Sequence, residues 1–368
     1  MERVLEDFLK WIKQIRIMIT ILGAGVSGLT AAIVLAKEKD VNVYEIGKRP
    51  KPNFDIVVHS FRNYGFEKGV LKKLEKTGIK LPKLYPIYKV YKYSPSLNFS
   101  EITSKQPIFY SFLRGNDPRS LDSVLLKQAE KNGVNVFFGQ TKKDADIIAT
   151  GAKRVDGVAF GYHYEGLNIE KAVYTFYDNR YSPKGYLYVL PFGKNRGDVV
   201  TTSFCSPKDY PNIKKYFEKA VKENKILQEI TDGAEKICEV RGFGNFNIPF
   251  SAIKKKKLYI GEAAEFQDAS KGFGVKFAIL SGYSAAVSIL KNQNYDTLWK
   301  KEFKNELIYY FKRRIGYQFL TNQNFENYIS KLGKKCTKEY EESLKKKSIA
   351  LDILYPFKLL EWKLFKKI

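Results

Sequence analysis

Residues 17–29 read Ile-Met-Ile-Thr-Ile-Leu-Gly-Ala-Gly-Val-Ser-Gly-Leu, an apolar, β-branched run that enters a G-x-G-x-x-G turn. An Ala- and Leu-rich helical pattern leaves the turn. Residues 41–45 then repeat the strand pattern and close on Glu45, about twenty residues past Gly25. This is the dinucleotide-binding βαβ fingerprint in the setting it requires. Gly23 permits the tight turn, Gly25 lets backbone approach a pyrophosphate, and Gly28 lets helix and strand pack closely. Val26 and Ser27 begin the helix, whose free N–H groups and partial positive charge face the phosphates. Glu45 can accept hydrogen bonds from both ribose hydroxyls and repels a 2′-phosphate, so FAD or NAD is expected here rather than NADP. A plain glycine-rich turn in an α/β domain is the alternative, and the flanking strand, helix and distal acid weigh against it.

Composition narrows the chemistry. With 368 residues, 44% of them hydrophobic, the chain has material for one large domain or two joined ones. Three scattered cysteines, Cys205, Cys238 and Cys336, lack metal spacing and form no disulfide framework. Only His59 and His163 are present, which excludes a His-rich metal site and disfavours a His-based triad. No metal is expected, and the chemistry must come largely from a cofactor. The formal charge is +25, with lysines spread along the chain. Anionic lipid, acidic substrate or a general lysine enrichment all fit this balance. No RNA-binding or helix-turn-helix signature accompanies it, so nucleic acid is not expected. Residues 275–290 are the longest apolar stretch and fall short of the ~18–20 residues of a membrane span. No signal peptide is legible, and the expected location is the cytoplasm, either free or peripheral on the inner face of the cell membrane.

Residues 1–17 carry an amphipathic helical pattern, and Met18 is an alternative start that would leave the following domain whole. Alternating and aromatic patterning from 158 to 204, with turn signals at Gly166, Asn179 and Gly185, reads as a mostly antiparallel sheet inserted into an α/β domain. The expected fold is therefore α/β, a Rossmann-like FAD-binding domain with an inserted substrate sheet and a helical C-terminal region. Its expected parts are the N-terminal helix (1–17), the nucleotide domain (18–85, 114–157 and 236–290), the sheet domain (86–113 and 158–235) and a basic helical region (291–368).

The second motif is Gly261-Glu262-Ala263-Ala264-Glu265-Phe266-Gln267-Asp268-Ala269-Ser270-Lys271-Gly272-Phe273-Gly274-Val275. A strand ends at a carboxylate and a Gly-x-Gly loop leads into a helix. Here the chain resembles the geranylgeranyl reductase group of FAD-dependent oxidoreductases, within the fold shared with aromatic hydroxylases. Gly261, Ala263, Ala264, Gly272, Gly274, Val275, Ala278, Ser281 and Gly282 fall in register with its G-D-A-A-G, P-x-x-G-x-G-I and A-x-x-S-G pattern. Glu262 stands where the family has an Asp that hydrogen-bonds the ribityl chain, while Glu265 replaces a Gly and Ala269 a Pro. A helix starting near Gly274 would aim its N–H groups at the flavin edge that gains negative charge on reduction.

Three more stretches join the resemblance. Arg119-Ser120-Leu121-Asp122 is similar to the helix start whose Arg approaches FAD, and Ala149-Thr150-Gly151 to the strand end beside the adenosine. Gly185-Tyr186-Leu187-Tyr188-Val189-Leu190-Pro191 resembles the reductases' G-Y-x-W-x-F-P. The resemblance implies that Tyr186, Tyr188 and Pro191 line an apolar isoprenoid slot, with Tyr188 also facing the chemistry. Gly161 to Glu165 is similar to the family's first substrate strand. Many reductases carry a Cys after the ribose-binding acid; here the region offers His59, Ser60 and Arg62, and His59 is the candidate proton donor, with a structural histidine as the alternative.

Near the C-terminus Ile353, Leu354, Phe357, Leu360, Leu364 and Ile368 form an apolar stripe flanked by Lys358, Lys363, Lys366 and Lys367, with Pro356 suited to a first helical turn. An anchor on an anionic membrane surface and a helix packed on the domain are both open readings. The function expected is reduction of C=C bonds in a geranylgeranyl or other isoprenoid lipid. The electron donor is left open between NAD(P)H and an electron-transfer protein such as ferredoxin. An FAD monooxygenase or halogenase, or a flavin-binding lipid-surface protein without turnover, are the alternatives.

Overall fold

A computed structural model describes residues 18–48, 56–344 and 349–365. The expected N-terminal helix lies outside them, as do Lys366, Lys367 and Ile368. The apolar run at 18–22 is the central strand Met18–Leu22 of a six-stranded sheet. In order the sheet runs Ile253–Lys254, Lys257–Tyr259, Ile147–Ile148, Met18–Leu22, Asp40–Glu45 and Asn135–Phe138. All pairings are parallel except the hairpin at 253–259. Parallel strands need crossovers, and the helix Val26–Leu35 supplies the first one. Every residue of that helix is buried, because it lies between the sheet and a second apolar helix, Val275–Leu290.

The aromatic, alternating region forms an eight-stranded sheet. Its order is Glu235–Gly244, Gly157–Glu165, Arg196–Phe204, Leu187–Pro191, Val173–Phe176, Lys89–Tyr93, Phe99–Thr103 and Lys334–Cys336. Gly157–Glu165 pairs antiparallel along its length with strands on both sides. Two pairings are parallel, Val173–Phe176 with Lys89–Tyr93 and Lys334–Cys336 with Phe99–Thr103. The sheet thus reaches beyond the expected boundaries. Glu235–Gly244 is its edge strand although 236–290 reads as nucleotide domain, and the basic C-terminal region adds a strand of its own. A third sheet of Ile56–Arg62, Phe109–Gly115 and Tyr85–Ile87 packs through its first strand against the eight-stranded sheet.

Beyond residue 290 the described residues are helical apart from the strand Lys334–Cys336. Asn305–Gln318 and Asn322–Leu332 pack against the core through Phe311, Ile315, Phe325 and Ile329. The last helix, Ile349–Phe365, runs through Pro356 instead of starting at it. One missing N–H in the helix interior is tolerated because the helix is held by packing: Trp362 stacks on Phe246 at 5.1 Å and 6° and donates to its carbonyl oxygen at 3.0 Å.

Candidate functional site

The glycine turn is built for close backbone approach. Gly23 has φ +111°, and a Cβ there would overlap the Ala149 carbonyl; a Cβ on Gly28 would overlap the Gly23 carbonyl. At Gly25, by contrast, a Cβ would meet nothing within 4 Å. Gly25 is the N-cap of Val26–Leu35, with no side-chain cap and no acid in the first turn, so the N–H groups around Val26, Ser27 and Gly28 face outward. Glu45 ends the neighbouring strand, and its carboxylate accepts from the Ala24 N–H and the Gly47 N–H, each at 2.8 Å. An open helix N-terminus with a fixed acid beside it fits the ADP half of a dinucleotide.

From Thr150 and Gly151 a cavity of about 500 Å³ continues between the third sheet, the eight-stranded sheet and the 272–275 loop. Glu262, Gly272, Gly274 and Val275 line it, as do His59, Tyr186 and Tyr188. The helix Val275–Leu290 presents a second uncapped N-terminus here, also free of acid in its first turn. Glu262 receives a hydrogen bond from Gln267 Nε2 at 3.2 Å, and the same nitrogen donates to the Gly272 carbonyl at 3.0 Å. Burial pushes the Glu262 pKa up to about 7 against the pull of Arg114.

Asp268 organises the loop. Its Oδ1 accepts from the Ser270 N–H at 2.7 Å and the Ser270 hydroxyl at 2.6 Å, while Oδ2 takes Arg62 Nη2 at 2.6 Å. Arg62 also donates to Glu67 at 2.9 Å, and Glu67 accepts from the Tyr310 hydroxyl at 2.8 Å. Lys276 pairs with Glu306 and lies 3.5 Å from Glu67. One buried network therefore ties the third sheet, the loop, the helix after it and the helix Asn305–Gln318.

On the opposite wall Tyr186 is 7% exposed and donates its hydroxyl to the Lys271 carbonyl at 2.8 Å. Its ring lies 5.7 Å from Tyr188 and 6.4 Å from Phe204, centroid to centroid, forming an aromatic row. Tyr188 is held fully protonated by burial and by the negative charge of Asp198. Behind it Asp198 meets His163 Nδ1 at 2.6 Å and accepts the Val58 N–H at 2.7 Å.

Three expected positions behave differently. Pro191 is buried but does not line the cavity; Leu190 beside it does. Arg119 points to solvent, 62% exposed and paired with Asp117 at 2.6 Å. The arginine on the cavity wall is Arg114, locked to Asp122 at 2.7 and 2.9 Å. His59 lies on the wall, yet burial first and Arg114 second lower its pKa to about 3, so it is neutral and holds no acidic proton near pH 7. Sequence reasoning passed over Arg114, Asp268, Lys271 and Lys92. Lys92 had a signal: it shares the period-2 face of Val90, and both are buried on the cavity wall. Among the described residues no group of acids, histidines and cysteines is arranged to hold a metal.

No family model matches the chain. An uncharacterized protein of Methanocaldococcus jannaschii is 26% identical over 221 residues, 53% of this chain and 54% of that protein, so the match spans about half the relative's length. A geranylgeranyl bacteriochlorophyll reductase-like structure from Thermoplasma acidophilum is similar at TM-score 0.73 and 18% identity, over 92% of this chain and 99% of that one. The flavin-dependent brominase Bmp2 is similar at TM-score 0.62 and 17% identity, over 94% of this chain and 98% of that one. At such identities the likeness establishes the fold, which is the mixed α/β fold of these flavoproteins and the one the sequence leads one to expect.

Proposed function

We propose that this chain binds FAD non-covalently and reduces C=C bonds of an isoprenoid lipid. The observation that carries this reading is that the glycine turn packs on the Ala149–Thr150 backbone, next to a cavity lined by Thr150 and Gly151 that has an uncapped helix N-terminus on one wall and an apolar aromatic row on the other. Gly25 and the N–H groups after it would hold the pyrophosphate, and Glu45 the ribose. Glu262 and Gln267 would hold the ribityl hydroxyls, with the Val275–Leu290 helix start against the electron-accepting ring edge. Reduced FAD, when bound, supplies a hydride to one alkene carbon; a proton from a protein acid or water completes the other.

The residues of the chain do the positioning. An isolated alkene is a poor electrophile, so alignment in a dry slot must supply much of the rate. Tyr186, Tyr188 and Phe204 stiffen one side of that slot, and Val90, Ile102 and Leu190 make it apolar. A monooxygenase or halogenase is the second reading, because the fold is also that of a brominase. Anaerobic photoreduction of the flavin followed by lipid addition separates them. The reductase reoxidises with the alkene, a monooxygenase only with oxygen, and a protein that merely binds flavin with neither. Failure of every prenyl lipid to reoxidise the flavin anaerobically would sink the reductase assignment.

Membrane attachment through the last helix belongs to the same proposal. Ile353, Phe357, Leu360 and Leu364 are 61, 67, 55 and 63% exposed, and Lys358 and Lys363 flank them. A surface this apolar, next to lysines, suits the boundary of an anionic bilayer, where a lipid substrate resides. Among the described residues no helix is long and apolar enough to cross a membrane.

A further inference from the structure

On the face that carries the last helix, apolar surface and charge come from different parts of the chain. Over residues 349–365 the helix is neutral, because Asp352 and Glu361 offset Lys358 and Lys363. Lys358 is moreover paired with Glu361 at 2.8 Å. Lys366 and Lys367 follow in sequence, beyond the described residues. The outward stripe of the described helix thus offers apolar contact and no net charge.

The segment beside it has both. Trp362, stacked on Phe246, fixes the helix to the stretch that leads to Phe250. Lys363 Nζ then lies 3.3 Å from the centroid of the Phe250 ring. Phe250 is 80% exposed, more than any other large apolar side chain among the described residues. Four residues on, the strands Ile253–Lys254 and Lys257–Tyr259 form a hairpin whose tip is entirely lysine. Lys254 pairs with Lys257, which leaves Lys255 and Lys256 as a two-residue turn with φ +50° and +64°. Such a turn ordinarily takes Asn and Gly, since left-handed backbone strains a residue with a Cβ. Here it displays two exposed lysines. Lys153 and Lys254 lie over the Tyr259 ring at 5.3 and 5.2 Å, which brings a further cation to the hairpin. Lys153, Lys254, Lys255 and Lys256 are exposed and form no ion pair among the described residues, whereas Lys257 has Asp144 at 3.8 Å.

We propose that Phe250 and the 254–257 lysine hairpin are the electrostatic half of a two-part surface for an anionic bilayer, with the outward stripe of the last helix as its inserting half. The proposal rests on the membrane part of the functional reading above. Lysines beside an exposed aromatic suit the head-group layer, where the ammonium groups meet phosphate and the ring reaches the acyl boundary. A short apolar stripe partitions weakly by itself, and exposed lysines alone are screened by salt. Joined through Trp362 and Lys363, the two halves engage together, so their affinities multiply. An acidic protein would match the lysines and leave the helix stripe facing water. A bilayer covers the lysines, Phe250 and the stripe at once.

Flotation of the full-length, flavin-loaded protein with phosphatidylglycerol vesicles and with phosphatidylcholine vesicles, over a range of salt, is the test. Lys254→Gln, Lys255→Gln and Lys256→Gln together should lower partition into phosphatidylglycerol roughly tenfold or more at low salt, and flatten the salt dependence. Lys215→Gln, Lys219→Gln and Lys222→Gln together, on the exposed face of the helix Ile213–Glu223, remove the same charge and should change neither. Phe250→Ser should weaken binding to both lipids severalfold. Lys255→Asn with Lys256→Gly gives the turn its preferred residues, so this variant should melt higher than wild type and still bind phosphatidylglycerol less well, which separates binding from folding. Equal flotation of the hairpin triple and the control triple overturns the proposal and leaves the lysines to an acidic protein partner. Loss with the hairpin triple but none with Phe357→Glu and Leu364→Glu keeps the hairpin contact and overturns the helix half, and the membrane reading above with it. Absence of flotation by the wild-type protein overturns both.

Discussion

Gly25 and Gly28 sit three residues apart and should fail differently when substituted. A Cβ on Gly28 collides with backbone, so Gly28→Ala should cost stability whether or not flavin is present, by about 2 kcal/mol or more. Gly25 faces open space, so Gly25→Val should melt like the flavin-free wild-type protein yet purify colourless. A yellow Gly25→Val protein would remove the pyrophosphate assignment. Glu262 gives a pH signature. Its pKa rises from the ordinary 4.5 to about 7 on folding, so the fold favours its neutral form. Its contribution to stability is therefore full below about pH 4.5 and is lost as pH climbs through 7. In flavin-free protein Glu262→Gln should gain roughly 3 kcal/mol at pH 8 and nothing at pH 4.5, read from urea melts at the two pH values. The glycines and Glu262 were legible because each motif dictates a backbone shape. Arg114 was not: nothing local distinguishes it from Arg119, and only pairing with Asp122 turns it inward.

At the scale of elements, the last helix shows what periodicity conveys and what it leaves open. Its sequence carries two apolar stripes. Leu351, Tyr355, Leu359 and Trp362 pack on the core, while Ile353, Phe357, Leu360 and Leu364 look outward. Both stripes recur at helical spacing, and which one is inward depends on Phe246, more than a hundred residues away, as the partner of Trp362. The packed reading thus belongs to one face of this element, and the proposed surface anchor would use the other. Separate substitutions should divide them. Phe357→Glu with Leu364→Glu should cut flotation with anionic vesicles severalfold and leave the melting temperature unchanged. Trp362→Ala should cost about 3 kcal/mol through the lost stack and hydrogen bond while vesicle binding by the folded protein persists. Equal flotation of wild type and the double glutamate variant, or none by either, would leave this helix a packing element only.

Across the whole molecule, the sheets were legible as classes and their joints were not. A G-x-G-x-x-G turn after a β-branched run specifies a parallel sheet locally, and alternating aromatics specify an antiparallel one. What ties the third sheet to the 268–275 loop and to the helices Val275–Leu290 and Asn305–Gln318 is a network of residues 62, 67, 268, 276, 306 and 310, each unremarkable in its own stretch of sequence. Arg62 is its centre, 6% exposed, with both carboxylates of Glu67 and Asp268 depending on it. Arg62→Met keeps much of the side-chain bulk and takes the shared cation from two buried acids, a change that should cost about 3–5 kcal/mol at neutral pH. In the wild-type protein the Glu67 pKa lies below its ordinary 4.5, chiefly because Arg62 and then Lys276 outweigh its burial, so its contribution is present above pH 4.5 and fades in acid. Without Arg62 the buried Glu67 favours its protonated form, so the penalty should be largest near pH 8 and shrink towards pH 4. Urea melts of the two proteins across that range read it directly. A penalty of the same size at both ends would mean that Arg62 acts through packing against Phe273 and Tyr310, whose ring centroids lie 4.6 and 4.7 Å from its guanidinium, and not through charge. Because the same network anchors the 268–275 loop, loss of flavin should track the loss of stability, strongest at pH 8 and weakest in acid.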